Sequence, residues 1–201
     1  MFAAPPSLGS TLCVLDTERL RLRPYKASDV AVFFRVLDES RDRLRLSFPD
    51  RLRSVPTLAE APSQLATFAR DWRTGRFYVF GIWHQQTQAY LGDICLMPQR
   101  GGQAEIGYYL ATEAEGQGYA REALGAIVRF GFEQVGATRL LIRCFVDNVR
   151  AQQVACAHGF RLLGEEPAAE GRPWFHFSLW DTRPPRPAIL HFVRARQQPA
   201  T

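Results

Sequence analysis

The stretch that most limits what this chain can become is residues 104–131, AEIGYYLATEAEGQGYAREALGAIVRFG. It opens with an apolar, β-forming run of strand length at residues 106–110. A small loop over 111–117 leads into a segment with apolar Ala123, Leu124, Ile127, Val128 and Phe130 at helical spacing. At the junction Gly116 and Gly118 flank Gln117, which lets the backbone turn sharply and point several N–H groups one way. The first N–H groups of a helix have no internal partners, and the helix dipole favours negative charge beside them. Strand, glycine turn and helix together make a seat for a phosphate-bearing ligand.

Spacing narrows the ligand. A nucleotide P-loop needs a Gly-Lys-Ser/Thr ending, and the only lysine of the chain is Lys26. The dinucleotide fingerprint needs a third small residue where Arg121 stands. The segment does resemble the acyl-CoA site of the GNAT superfamily of N-acyltransferases. That family's Gln/Arg-x-x-Gly-x-Gly/Ala signature falls on Glu115, Gly116, Gln117, Gly118, Tyr119 and Ala120. The surrounding Glu-Ile-Gly-Tyr and Gly-Tyr-Ala-x-Glu-Ala are most similar to the ribosomal-protein N-terminal acetyltransferase branch, the RimJ/RimL-like one. One position departs from the signature. Glu115 fills the Gln/Arg slot, where a carboxylate repels a diphosphate by roughly 0.3–1 kcal/mol.

The rest of the chain fits a single domain. Its 201 residues can bury a sizeable core, and 46% apolar with 22% charged residues is ordinary for a globular protein. The net charge of +5 suits an anionic cofactor, but without a clustered basic face it gives no nucleic-acid footprint. Cys13, Cys95, Cys144 and Cys156 have no metal-ligand spacing and read as free thiols. No segment has the length and apolarity of a membrane span or a signal peptide, so the expected location is the cytoplasm and no metal or membrane is expected. The expected layout is a leader over 1–15, a domain over 16–181 and a tail over 182–201, with a homodimer left open.

In chain order, residues 17–23 alternate Leu with charge as a first strand, and Ser28 and Asp29 cap a helix with Val32, Phe33, Val36 and Leu37. The arginine-dense run 41–53 has two readings: a solvated, partly irregular surface, or a lining for the acceptor entrance that meets acidic groups of a substrate. Residues 58–72 read as a second helix. Residues 77–83 and 90–97 form a hairpin that precedes the central strand. After the cofactor helix, 139–146 is a fifth strand, parallel to the central one by the right-handed crossover rule. Asn148-x-x-Ala151 and His158-Gly159-Phe160 are similar to the helix that follows it in the family, and 160–165 and 174–180 supply two last strands. The predicted fold is α/β (α+β): a mixed, mainly antiparallel sheet of about seven strands with about four helices, the GNAT acyl-CoA N-acyltransferase fold.

The resemblance implies the chemistry. In the family, pantetheine lies between the splayed central and fifth strands. This puts main chain of Tyr109, Leu110, Ala111 and Thr112 along it, residues 116–121 (Gly116, Gln117, Gly118, Tyr119, Ala120, Arg121) around the pyrophosphate, and Asn148 on the pantetheine arm or its water. Asn148 is equally a helix cap. Acyl transfer needs a neutral amine, a stabilised oxyanion and a protonated leaving thiolate. The Leu110 N–H is the donor for the oxyanion, and Glu105 the base for the amine, or else a solvent-facing carboxylate at the strand's start. The thiolate's usual donors fall on Ala151 and Ala155, which leaves Tyr119, Gln152, Cys156 or water. The expectation is an acetyl-CoA-dependent N-acetyltransferase acting on a protein N-terminus or a small-molecule amine. A non-catalytic acyl-CoA sensor of the same fold is the alternative. Bringing an α-amine to its neutral form at pH 7 costs about 1.4 kcal/mol against about 4.6 for lysine, which leans toward an α-amine.

Overall fold

A computed structural model describes residues 13–166 and 174–180. The expected tail and all but the end of the leader lie outside the described residues. The strands are β1 (Leu15–Asp16), β2 (Leu20–Arg23), β3 (Tyr78–His84), β4 (Tyr90–Pro98), β5 (Gln103–Leu110), β6 (Arg139–Phe145), β7 (Arg161–Glu166) and β8 (Trp174–Trp180). They form one sheet in the order β1-β2-β3-β4-β5-β6-β8-β7. Every pair is antiparallel except β5 with β6. The described α-helices are α1 (Val30–Glu39), α2 (Arg41–Leu44), α3 (Pro49–Ser54), α4 (Ala61–Arg73), α5 (Tyr119–Phe130) and α6 (Val149–Cys156). The mixed, mainly antiparallel sheet is the expected one. It gains the two-residue β1, which begins inside the expected leader, and the short helices α2 and α3.

Local chemistry accounts for these elements. In β2 the two leucines are buried and the first arginine exposed, the alternation of a strand with one covered face. β3 is buried from Tyr78 through Trp83, so its unbroken apolar run reflects cover on both faces. Before α4, the Thr57 side chain accepts the Ala59 N–H while Glu60 accepts the Thr57 N–H at 3.0 Å, a capping box. The core joins α4 to α5 through aromatic rings. Phe130 lies 5.2 Å from Tyr78, 5.1 Å from Phe80 and 6.0 Å from Trp72, in edge-on or tilted contact. α5 then widens into a π-helical turn, Gly131–Val135, that ends on left-handed Gly136 and delivers the chain to β6.

The run 41–53 is helical at both ends with a turn over residues 45–48 between them, and it is not wholly surface. Charge runs are commonly solvated, but here α2 and α3 fold back onto the sheet, and Arg51 is 7% exposed with its guanidinium on Asp93 of β4, itself 0% exposed. Register brings β4 unusually close to β5 just beyond this pair. Leu91 is bulged out between β3 partners, and Gly92 has a φ of +137°, where a Cβ would stand 2.3 Å from the Tyr109 carbonyl oxygen.

Candidate active site

Beyond β5 a single 3-10 turn, Thr112–Ala114, carries the chain to Gly116 (φ +74°) and Gly118 (φ +81°), which caps α5 in the left-handed conformation glycine adopts without penalty. Residues 116–118 are exposed. Among the described residues, the main-chain N–H groups of residues 116–121 donate to no protein acceptor. A row of open donors at the positive end of a helix is an anion seat. Arg19 braces it: Nη1 donates to the Gln117 carbonyl at 3.0 Å, Nε to Glu122 Oε2 at 2.7 Å, and the guanidinium lies 4.7 Å over the Tyr119 ring.

Glu115, the residue out of place in the signature, does not face the seat as a bare charge. Arg43 of α2 and Arg150 of α6 both bond its carboxylate, the latter at 3.0 Å. Arg43 also donates through Nη2 to the Leu110 carbonyl at 2.6 Å and to Ser40 Oγ at 3.0 Å. Two arginines around one carboxylate leave the rim net positive, so the repulsion expected from Glu115 is compensated within the protein.

Main-chain direction along β5 follows from its two ends. Gln99 N donates to the Gln103 carbonyl at 2.7 Å and Ala111 N to the Leu91 carbonyl at 2.8 Å. Odd-numbered residues therefore bond toward β4, and the alternation of an antiparallel ladder turns the even ones toward β6. β6 pairs with β5 only as far as Ile106 with Ile142. Past that point the main chain of Tyr108 and Leu110 opens onto a gap between diverging strands. Of the residues expected along the pantetheine arm, Leu110 faces this gap; Tyr109 and Ala111 turn their N–H groups to β4, and Thr112 begins the next turn. Tyr108 was not among the sequence candidates, because its direction depends on a register that only the β4 pairing sets.

The gap widens into a cavity of about 410 Å3. Phe48, Arg51 and Phe68 line it, together with Cys95, Glu105, Gly107, Arg143 and Asn148. Glu105 lines it with a side chain 16% exposed, held by Arg143 Nε at 2.7 Å and Gln99 Nε2 at 2.9 Å. It is thus an oriented, ion-paired carboxylate near the start of β5. Asn148 does cap α6, its Oδ1 accepting the Ala151 N–H at 3.1 Å, and it also lines the cavity. Of the side chains considered for the thiolate's proton, Tyr119 lies under the Arg19 guanidinium and meets His84 edge-on, Gln152 donates to the Val146 carbonyl at 2.8 Å, and Cys156 is exposed at the end of α6. None of the three is among the cavity-lining residues.

Behind the wall lies a polar cluster. Tyr25 donates to Asp93 Oδ2 at 3.1 Å and shares a 2.6 Å hydrogen bond with Tyr90, while Arg51 pairs with the same Asp93 oxygen. Burial pushes the Asp93 carboxyl above its usual range despite Arg51, and pushes the phenols of Tyr25, Tyr90 and Tyr109 up as well.

The acetyltransferase (GNAT) domain family matches the chain over residues 19–161. A Bacillus subtilis (strain 168) protein named uncharacterized N-acetyltransferase YoaA is 28% identical over 153 residues, 75% of this chain and 84% of its own length. Among solved structures, Mycobacterium smegmatis RimJ in complex with CoA-disulfide superposes with a TM-score of 0.74 at 21% identity, covering 94% of this chain and 96% of that one. Microcin C7 self immunity acetyltransferase MccE, in complex with acetyl-CoA and AMP, gives 0.69 at 17%, covering 82% and 94%. At those identities the two structures speak for the fold.

Proposed function

The chain belongs to the acetyltransferase (GNAT) domain family, and on that premise we propose that it moves an acetyl group from acetyl-CoA to a primary amine, either a protein N-terminus or a small-molecule amine. The observation that carries this is the open turn at residues 116–121, whose free N–H groups fit a diphosphate and lead into the gap beyond Ile106. Bound there, acetyl-CoA would supply an acetyl thioester.

The chain's own residues then have these roles. N–H groups of Gly116, Gln117, Gly118, Tyr119, Ala120 and Arg121 hold the diphosphate, with Arg43 and Arg150 within reach on Glu115. The gap-facing main chain of Tyr108 and Leu110 aligns the pantetheine arm, and the Leu110 N–H donates to the acyl oxygen, where a fixed donor is worth about 2.7–4 kcal/mol. Asn148, fixed by its cap bond, presents its side-chain amide to the same arm. Glu105 accepts the proton the amine gives up as it attacks, its carboxylate aimed by Gln99 and Arg143. With no tyrosine or serine at residues 151 and 155, the sulfur takes its proton from water entering the open cavity.

The test is thiol release from acetyl-CoA with a panel of amines that includes N-terminal peptides and polyamines. Acceleration by at least one class, lost in Glu105→Gln with CoA binding intact, is the expected result. Thiol release that no amine accelerates would overturn the reading and leave a CoA-binding protein.

A further inference from the structure

We propose that Arg51 is a specificity-determining residue of the acceptor cavity: its guanidinium takes a neutral carbonyl oxygen of the acceptor, so amines with a carbonyl on the amine-bearing carbon are favoured over simple alkylamines. The proposal rests on the reading of this cavity as the acceptor site and adds the feature by which it selects.

Three observations carry it. Arg51 lines the cavity although it is only 7% exposed. It is fixed there, with Nη1 on Asp93 and the guanidinium carbon 4.7 Å over the ring of Phe68, another lining residue. And its hydrogen bonding is incomplete: among the described residues, Nε and Nη2 donate to no protein acceptor. Guanidinium donors in so enclosed a place need an oxygen to bond, from water or from a guest.

The charge balance says which oxygen. Arg51 and Asp93 together are neutral, so an anionic guest gains little attraction and meets the Asp93 carboxylate, whereas a carbonyl lone pair accepts from the free edge of the guanidinium without that repulsion. Position agrees. Cys95, two residues along β4 from Asp93, has its thiol pushed up to about 12, by burial first, with Asp93 and Glu105 adding and Arg51 opposing. Register gives the placement: Asp93, Cys95 and Met97 alternate onto one face of β4 and Met97 stands opposite Glu105, so the anchor of Arg51 and Glu105 lie to either side of Cys95 on that face. A guest whose amine reaches Glu105 can place an oxygen a few bonds away on Arg51.

The test compares alaninamide with isopropylamine, which shares its carbon branching but lacks the carboxamide, each at equal concentration of neutral amine. Parent and Arg51→Lys are compared; lysine keeps a charge for Asp93 but loses the fork. Expected is a KM for alaninamide raised about tenfold in Arg51→Lys with a much smaller change in kcat, and a KM for isopropylamine that shifts far less than that for alaninamide. Equilibrium binding of alaninamide to the CoA-loaded protein should weaken by the same factor. An equal change for both amines, or none for either, overturns the proposal while the acetyltransferase reading stands. If the parent enzyme acetylates neither these amines nor any other, it is that reading which falls. Should Arg51→Lys fail to fold, Arg51→Met combined with Asp93→Asn, which removes both charges together, carries the same comparison.

Discussion

The cavity wall and the diphosphate turn both present hydrogen-bond donors to a ligand, but they are built from different material. At the turn the donors are main-chain N–H groups, aimed by two left-handed glycines and the start of α5, in solvent. At the wall they belong to one side chain, held in the interior by an aspartate and a phenylalanine. A backbone site depends on conformation and survives most side-chain changes around it. The side-chain site draws its geometry from a buried ion pair, so its recognition and the protein's stability are inseparable.

The largest expected effect tests that last statement. Replacing either Arg51 or Asp93 alone with alanine strands a buried charge and should cost roughly 3–5 kcal/mol in denaturant unfolding, while Arg51→Met with Asp93→Asn should recover most of it. A single replacement costing under about 1 kcal/mol would show the wall to be no more coupled to the fold than the turn. Next, Gly118→Ala forces a side chain into left-handed backbone, worth about 1–2 kcal/mol. It should weaken CoA binding by about tenfold in calorimetry and leave acceptor KM alone. Smaller still, Glu115→Gln should tighten CoA about two- to fivefold at low salt, because Arg43 and Arg150 already offset most of the carboxylate. The gain should fade at high salt.

The smallest is a pH effect at the latch beneath the turn. Glu122 accepts from the Thr17 hydroxyl and from both the N–H and the side chain of Arg19. Burial pushes its carboxyl up, but these bonds outweigh burial and hold it below the usual 4.5. A depressed carboxyl stabilises the fold above its unfolded pKa, and that contribution is lost as pH falls from about 4.5 through the folded value. Glu122→Gln should flatten the acid limb of the stability curve over that window, and an unchanged limb would assign no such role to the latch.

The turn was legible in the sequence because its whole signal is local: strand, glycines and helix follow one another within residues 104–131. The sheet was legible for the same reason, apart from β1, which is too short to carry a period. The wall was not. Arg51 finds Asp93 42 positions away, and it does so only once α3 has folded onto β4. In the string of letters it is one more arginine in a charged run. Glu105 falls between these cases. Its place in the central strand singled it out, but Arg143, which orients it, lies 38 positions on, across the parallel seam. Tyr108 escaped notice because main-chain direction in a strand belongs to the pairing and not to the residue.

That seam, where β5 runs alongside β6, has a consequence for how the molecule is made. The β3–β4 hairpin can zip up from its own turn, whereas the seam must wait until the 28 residues between its strands have coiled into α5 and come back over the sheet. The cleft is therefore a late product of assembly. In pulse-labelled refolding, amides of β3 and β4 should be shielded before those of β6, and cutting Phe130 back to alanine should delay the second group more than the first.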